Sequence, residues 1–243
     1  MNSASPIQPA NRPETNGTPQ WRYERKFVIR RRSVPDILAL IRRHPAAFRE
    51  AYPPRLINNV YLDTPSLHSY HEHVGGAAHR VKTRVRWYGP RRGPIAKPTL
   101  EQKLKRGLVS AKWSYPLPSL HLNGSIDRRE LAASFDRASL PAPLRSRLHQ
   151  LRPVLVNRYQ RHYLRSADGR FRLTVDAQLQ FHDTRLTTGD LEDRHDPSEL
   201  VIVELKFDAR HAETAAAVTN TFPFRLQRCS KYVLGIEYLH GAA

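Results

Sequence analysis

Four cations stand at every second position of the stretch HRVKTRVRWYG: Arg80, Lys82, Arg84 and Arg86. In a strand, successive side chains point to opposite faces, so these four share one face while Val81, Thr83, Val85 and Trp87 share the other. Like charges in such a row repel, and an anion lying along the face would relieve the repulsion. Basic residues recur in other strand-like stretches: Lys26 in WRYERKF, Lys103 in TLEQKLKRG, Lys112 in LVSAKWSYPL, Arg158 and Arg161 in NRYQRHYL, Arg172 in RFRLTVDAQLQF, Lys206 in ELVIVELKF and Lys231 in SKY. Singly, each is an ordinary solvated charge. On faces that converge they suit a polyphosphate-shaped ligand, because Arg offers a planar fork to phosphate oxygens and Lys a point charge. Glu204 is an acid inside the apolar run LVIVELKF. It reads either as the salt-bridge partner of a basic strand or as a ligand for a hard cation, Mg²⁺ or Mn²⁺, bridging phosphates.

Several other chemistries lack their residues. There is no G-x-x-x-x-G-K-[ST] loop, no G-x-G-x-x-G after a strand, no H-E-x-x-H and no G-x-S-x-G. His68, His71 and His73 in HSYHEH read as surface histidines, since His71 and His73 diverge on a short helix. Cys229 is the single cysteine. It excludes an intrachain disulfide framework and a multi-cysteine zinc site, and reads as a buried or incidental thiol.

Across 243 residues, 40 Lys+Arg face 22 Asp+Glu, a formal net charge of +18. That balance points to a polyanionic partner: nucleic acid, an anionic membrane or phosphate compounds. Nucleic acid fits least, because base stacking asks for aromatics among the cations, and Trp87 and Phe171 fall on the opposite faces. A hydrophobic content of 40% suffices for the core of one large domain. Residues 1–20, rich in Pro, Asn, Ser and Thr, read as a disordered leader ahead of one domain over 21–243. No apolar run approaches the ~20 residues of a membrane span, and the chain reads as cytoplasmic.

The elements that must position these cations are mostly strands. In WRYERKF, Glu24 and Lys26 share one face, and Tyr23, Arg25 and Phe27 the other. Ser33 is a plausible N-cap for a helix with Ile37, Leu38 and Ile41 as its apolar stripe. Thr64 is expected to cap a short helix with Pro65 at its first position. TLEQKLKRG and LVSAKWSYPL form one hairpin, and NRYQRHYL and RFRLTVDAQLQF another across ADG. Two helices are expected between Ser125 and Leu151, and one from about His211 to Thr221. Hairpins dominate, so the sheet should be antiparallel. Closing it would let apolar faces pack outward on helices while charged faces line a polar tunnel.

Eight stretches, RYERKF, NNVYLDT, RVRWYG, LEQKLKRG, NRYQRHYL, RLTVDAQL, VELKF and SKYVLGIE, occur in this order between Trp21 and Leu239. Together they resemble the VTC domain, the polyphosphate polymerase domain of the vacuolar transporter chaperone family, within the triphosphate tunnel metalloenzyme (CYTH-like) superfamily. The resemblance implies an α+β fold, an antiparallel eight-stranded β-barrel tunnel with flanking helices. It implies catalytic roles for Lys26, Arg84, Arg86, Lys103, Arg158, Arg172 and Lys231, and metal binding by Glu204 with Mn²⁺ or Mg²⁺. Lys112, Arg161 and Lys206 are expected to hold phosphate. Glu24 and Asp176 are further candidates, and Arg80 and Lys82 extend the cationic row without a family role. The implied reaction passes the γ-phosphate of ATP to a growing inorganic polyphosphate chain and releases ADP. The same fold accommodates triphosphate or tripolyphosphate hydrolysis, ATP cyclisation, or a silent polyphosphate-binding subunit, although Glu204 counts against the last. The eukaryotic complexes join this domain to an SPX region and membrane helices, neither of which is seen here. The chain is expected to work alone or beside a separately encoded membrane protein.

Overall fold

Strands with one charged and one apolar face must bury the apolar side, and this chain does so around a ring. The computed structural model describes residues 20–122, 126–184 and 199–241. The expected leader, apart from Gln20, lies outside them. In chain order the elements are β1 (Arg22–Ile29), α1 (Val34–Arg42), β2 (Arg49–Asp63), α2 (His68–Val74), β3 (His79–Tyr88), β4 (Gly93–Ile95), β5 (Thr99–Arg106) and β6 (Val109–Pro116). There follow β7 (Leu120–Leu122), α3 (Arg128–Arg137), α4 (Ala142–Gln150), β8 (Arg152–Arg165), β9 (Arg172–His182), β10 (Val201–Phe207), α5 (Ala212–Asn220) and α6 (Lys231–His240). Eight strands close an antiparallel barrel in the order β1-β10-β9-β8-β2-β3-β5-β6, while β4 and β7 pair separately. The ring closes at β1 and β6 through two register pairs, Arg22 with Ser110 and Tyr23 with Val109.

The outer wall packs in two places. Phe27, Leu173, Val175, Val203 and Leu205 meet Ile37 and Ile41 of α1 and Ala215 and Val218 of α5. Val60, Leu62, Val85, Trp87, Leu100 and Val156 meet Leu131 and Phe135 of α3 and Leu144 and Leu148 of α4. Helix α1 starts as expected, with the Ser33 hydroxyl accepting from the Asp36 N–H at 3.2 Å. Helix α2 starts later than the Thr64–Pro65 pair suggested, at His68. Its cap comes from behind: the Thr64 hydroxyl accepts from His68 N–H at 3.0 Å, and the Asp63 carboxylate from Ser69 and Tyr70 at 3.0 and 3.1 Å. These acceptors satisfy N–H groups that a helix start leaves unpaired.

A third apolar cluster lies inside the ring. Tyr61, Leu155, Phe181 and Ile202 face inward and pack on Tyr232 and Ile236 of α6. Tyr232 stacks on Tyr61 with centroids 5.0 Å apart and donates its hydroxyl to Asp63 at 2.5 Å. Helix α6 therefore covers one mouth of the barrel. Its close seat needs Gly235, where a Cβ would fall 2.5 Å from Leu155 Cδ2 and 2.7 Å from Phe181 Cδ1. Gly235→Val is expected to destabilise the fold by about 1–3 kcal/mol through overpacking, read from the urea midpoint. Unchanged stability would mean that α6 does not sit against this mouth.

Candidate functional site

Inside the barrel, carboxylates act as anchors for groups of cations. Glu101 on β5 is 3% exposed and serves three. Its Oε2 accepts from Arg84 Nε and Nη2 at 2.8 and 2.6 Å, and its Oε1 from Arg86 Nη1 at 3.4 Å and Lys112 Nζ at 2.8 Å. Register explains the convergence, since Arg84 lies opposite Glu101 and Lys103 opposite Lys112. Burial alone would raise the Glu101 pKa. Arg86, Arg84 and Lys112 override it and hold the group well below the carboxylate range. Arg86 Nε also donates to Asn59 Oδ1 at 3.1 Å, and Asn59 donates to Asn157 Oδ1 at 2.8 Å.

Asp176 on β9, with no exposure, is the second anchor. Arg161 grips it with both arms, Nε to Oδ1 at 2.5 Å and Nη2 to Oδ2 at 2.6 Å. Lys231, from the first turn of α6, lies 2.5 Å from Oδ2. Both cations also lie over the Tyr159 ring, at 5.3 and 4.8 Å from its centroid. Burial pushes the Tyr159 phenol up, but Arg161, Arg86 and Lys231 outweigh it and bring the group down to about 8.

The third assembly joins β1 to β10. Each strand carries a Glu-x-Lys, Glu24–Lys26 and Glu204–Lys206. The antiparallel register sets Glu24 opposite Lys206 and Lys26 opposite Glu204. Lys206 Nζ is 2.9 Å from Glu204 Oε1, Lys26 Nζ 3.8 Å from Oε2, and Lys103 Nζ donates to Glu24 Oε2 at 2.6 Å. Lys26 Nζ also donates to the Cys229 carbonyl at 2.9 Å. Burial would raise Glu24, but Lys103, Lys206 and Lys26 hold it at about 2. Glu204 is likewise held well below the usual range against burial, chiefly by Lys206 and Lys26. Its Oε1 is buried and accepts no hydrogen bond among the described residues, its Lys206 contact being an ion pair without hydrogen-bond geometry.

The lumen thus gathers Lys26, Arg84, Arg86, Lys103, Lys112, Arg161, Lys206 and Lys231. Arg172 shares the inward parity of Thr174 and Asp176 and is exposed at the rim, opposite Lys206. Arg80 and Lys82 continue the row toward the covered mouth. Arg80 Nη1 donates to the Ala77 carbonyl. Lys82 Nζ lies 2.7 Å from Ser230 Oγ and 2.9 Å from His73 Nδ1. Burial, then Lys26, Lys103 and Arg80, lower the Lys82 ammonium to about 6.

Arg158 is the exception. It pairs with Asn58 and Gln180, in the parity of Val156, whose side chain sits in the outer cluster with α3 and α4. The pleat turns Arg158 outward and Arg161 inward, so the expected catalytic arginine of this strand is misplaced by one face. Glu101, Tyr159, Asn59 and Asn157 were not expected in the site. Glu101 was visible as an acid on a basic face, and only pairing shows that three cations share it.

Asp176→Asn would leave Arg161 and Lys231 buried without their countercharge, at a cost of about 3–5 kcal/mol in urea unfolding near neutral pH. Burial raises Asp176, but Arg161 and Lys231 depress it below its ordinary 3.8. With the folded pKa depressed, its contribution is complete well above 3.8 and is lost as pH falls below it. The stability gap between the unmodified protein and the Asp176→Asn variant should therefore narrow in acid. A gap unchanged at about pH 2 would remove Asp176 as the countercharge.

Comparison with known proteins agrees with this architecture. The VTC domain family model matches residues 21–240. A Hippeastrum protein named for adenylyl cyclase, and reported to have a dominant triphosphatase activity, shares the fold. It is 11% identical, with a TM-score of 0.54 over 90% of this chain and 96% of that one. A Vibrio parahaemolyticus protein named for adenylate cyclase aligns at 13% identity, TM-score 0.48, over 88% and 98% of the two chains. PH1819 of Pyrococcus horikoshii aligns at 12% and 0.46, over 89% and 96%. No curated protein matches the chain.

Proposed function

We propose that this chain, which belongs to the VTC domain family, transfers the γ-phosphoryl group of ATP to inorganic polyphosphate. The observation that carries the reading is the cation excess inside a closed barrel. Glu24, Glu101, Asp176 and Glu204 are each already engaged by Lys or Arg, and the cations outnumber these acids along the wall. A linear chain of phosphates would supply negative charge all along such a wall, which a single small anion cannot do.

In the proposed reaction a terminal oxygen of the acceptor chain attacks the γ-phosphorus. The bond from that phosphorus to the β–γ bridging oxygen breaks, and ADP leaves with the electron pair. No protein nucleophile is required. The work of the protein is alignment and electrostatic stabilisation. Arg84, Arg86 and Lys112, fixed by Glu101, and Arg161 and Lys231, fixed by Asp176, present donors from opposite walls. Their rigidity matters because donors already in place need no reorganisation as charge shifts between oxygens.

A divalent metal fits the third assembly. The described residues hold no cluster of three or more His, Cys, Asp or Glu suited to a metal. Glu204, with its buried Oε1 lacking a hydrogen bond, and neighbouring Glu24 offer hard oxygens, and phosphate and water would complete the shell. When bound, Mg²⁺ or Mn²⁺ would neutralise charge on the phosphate oxygens. Lys26, Lys206 and Lys103 would hold the two carboxylates in place.

A second reading, triphosphate or tripolyphosphate hydrolysis, is favoured by one feature. Helix α6 covers one mouth, so a long product would have to leave past the incoming nucleotide. A short product would not. The two readings separate in one assay, purified protein with ATP and Mn²⁺ in which ADP, free phosphate and long-chain polyphosphate are followed apart. Polyphosphate rising with ADP is the expected result. Free phosphate without polyphosphate would move the chain to hydrolysis. Glu204→Gln should abolish metal-dependent turnover. It should also lower the melting temperature, since Lys26 and Lys206 lose a countercharge, while the circular dichroism spectrum of the folded protein stays unchanged. Full activity in that variant would refute the metal assignment.

A further inference from the structure

The mouth opposite α6 carries a cluster for which phosphate binding alone supplies no role. Along β2, Asp63 and Tyr61 lie toward α6, and Arg55 and Tyr52 toward the other end. There, three steps of β2 match two of β8, with Tyr52 paired to Tyr163 and Arg55 to Arg161. Pro53 and Pro54 fill the irregularity, which suits residues that have no N–H to give to a ladder. In an unbroken strand Tyr52 and Arg55 would point to opposite faces. The shift gathers them on one side.

The Arg55 guanidinium carbon lies 5.7, 5.6 and 5.8 Å from the ring centroids of Tyr52, Tyr88 and Tyr163. Tyr52 and Tyr163 also meet edge to face at 6.0 Å. Arg161, the cross-strand neighbour of Arg55, is committed to Asp176, and two like charges directly opposite are otherwise unfavourable. No carboxylate pairs with Arg55 among the described residues. Its guanidinium is held by aromatic faces instead, one register step from the phosphate-binding wall. Tyr88 is 39% exposed, so this collar is open to the mouth.

We infer that the collar holds the nucleobase of a nucleoside triphosphate whose phosphates lie in the lumen, stacked against Tyr88 and Arg55. The inference rests on the triphosphate reading above. Nucleobases stack on aromatic rings and on guanidinium planes, and every base offers a π-face. Three tyrosines fix the guanidinium before the ligand arrives, so little ordering remains to be done on binding. The collar would favour a nucleotide over a bare phosphate chain while discriminating little among bases.

The test is calorimetric titration of ATP and of inorganic tripolyphosphate, in the same Mg²⁺ buffer, into the full chain and into Tyr88→Ala. Loss of one stacking surface should weaken ATP by about tenfold and leave tripolyphosphate unchanged, and Tyr88→Phe should restore ATP binding. Equal weakening of both ligands, or of neither, would overturn the collar. If the unmodified protein bound neither ligand, the phosphate reading itself would fall, and the collar with it.

Discussion

Closure of the sheet is the constraint on which the rest depends. Once eight strands form a ring, every second residue of each must share one narrow interior, and a sequence that puts cations there concentrates positive charge away from bulk water. Charges so confined are costly unless they are paired and hydrogen-bonded. The chain meets that demand with few acids placed at branch points. Glu101 serves Arg84, Arg86 and Lys112; Asp176 serves Arg161 and Lys231; Glu204 serves Lys26 and Lys206. Each acid fixes its cations in orientation without cancelling their sum.

The helices divide the remaining work by face. α1 and α5 on one side, and α3 and α4 on the other, take up the apolar outer wall, so the ring gains two ordinary cores outside its charged lumen. α6 does something different, because its apolar residues pack on inward-facing side chains and its first residue, Lys231, reaches Asp176. One short helix therefore both closes a mouth and contributes a cation to the wall.

Much of this was legible in the residues. Alternation announced the strands and their charged faces, and the paired Glu-x-Lys of β1 and β10 lined up as an antiparallel register requires. Facing was less secure. Arg158 and Arg161 lie on one strand with odd spacing, so at most one could enter the lumen, and only the pairing of β8 with β2 decides which. The collar was invisible because it depends on a register irregularity at Pro53 and Pro54 that periodicity would deny. The seat of α6 depends on contacts such as Tyr232 to Asp63, 169 positions apart, which local pattern does not carry.

The join between β1 and β6 gives the barrel a mechanical character. Its other neighbouring strands share long ladders, whereas this seam has two register pairs. Among the described residues one ion pair, Lys103 to Glu24, ties β5 to β1 from within. Repulsion among the lumen cations acts on such a hoop as an internal pressure, greatest in effect where the hoop is weakest. A polyanion drawn along the axis reverses the sign of that load, pulling the walls toward itself and closing the seam. The contents of the vessel would then be part of what holds it shut.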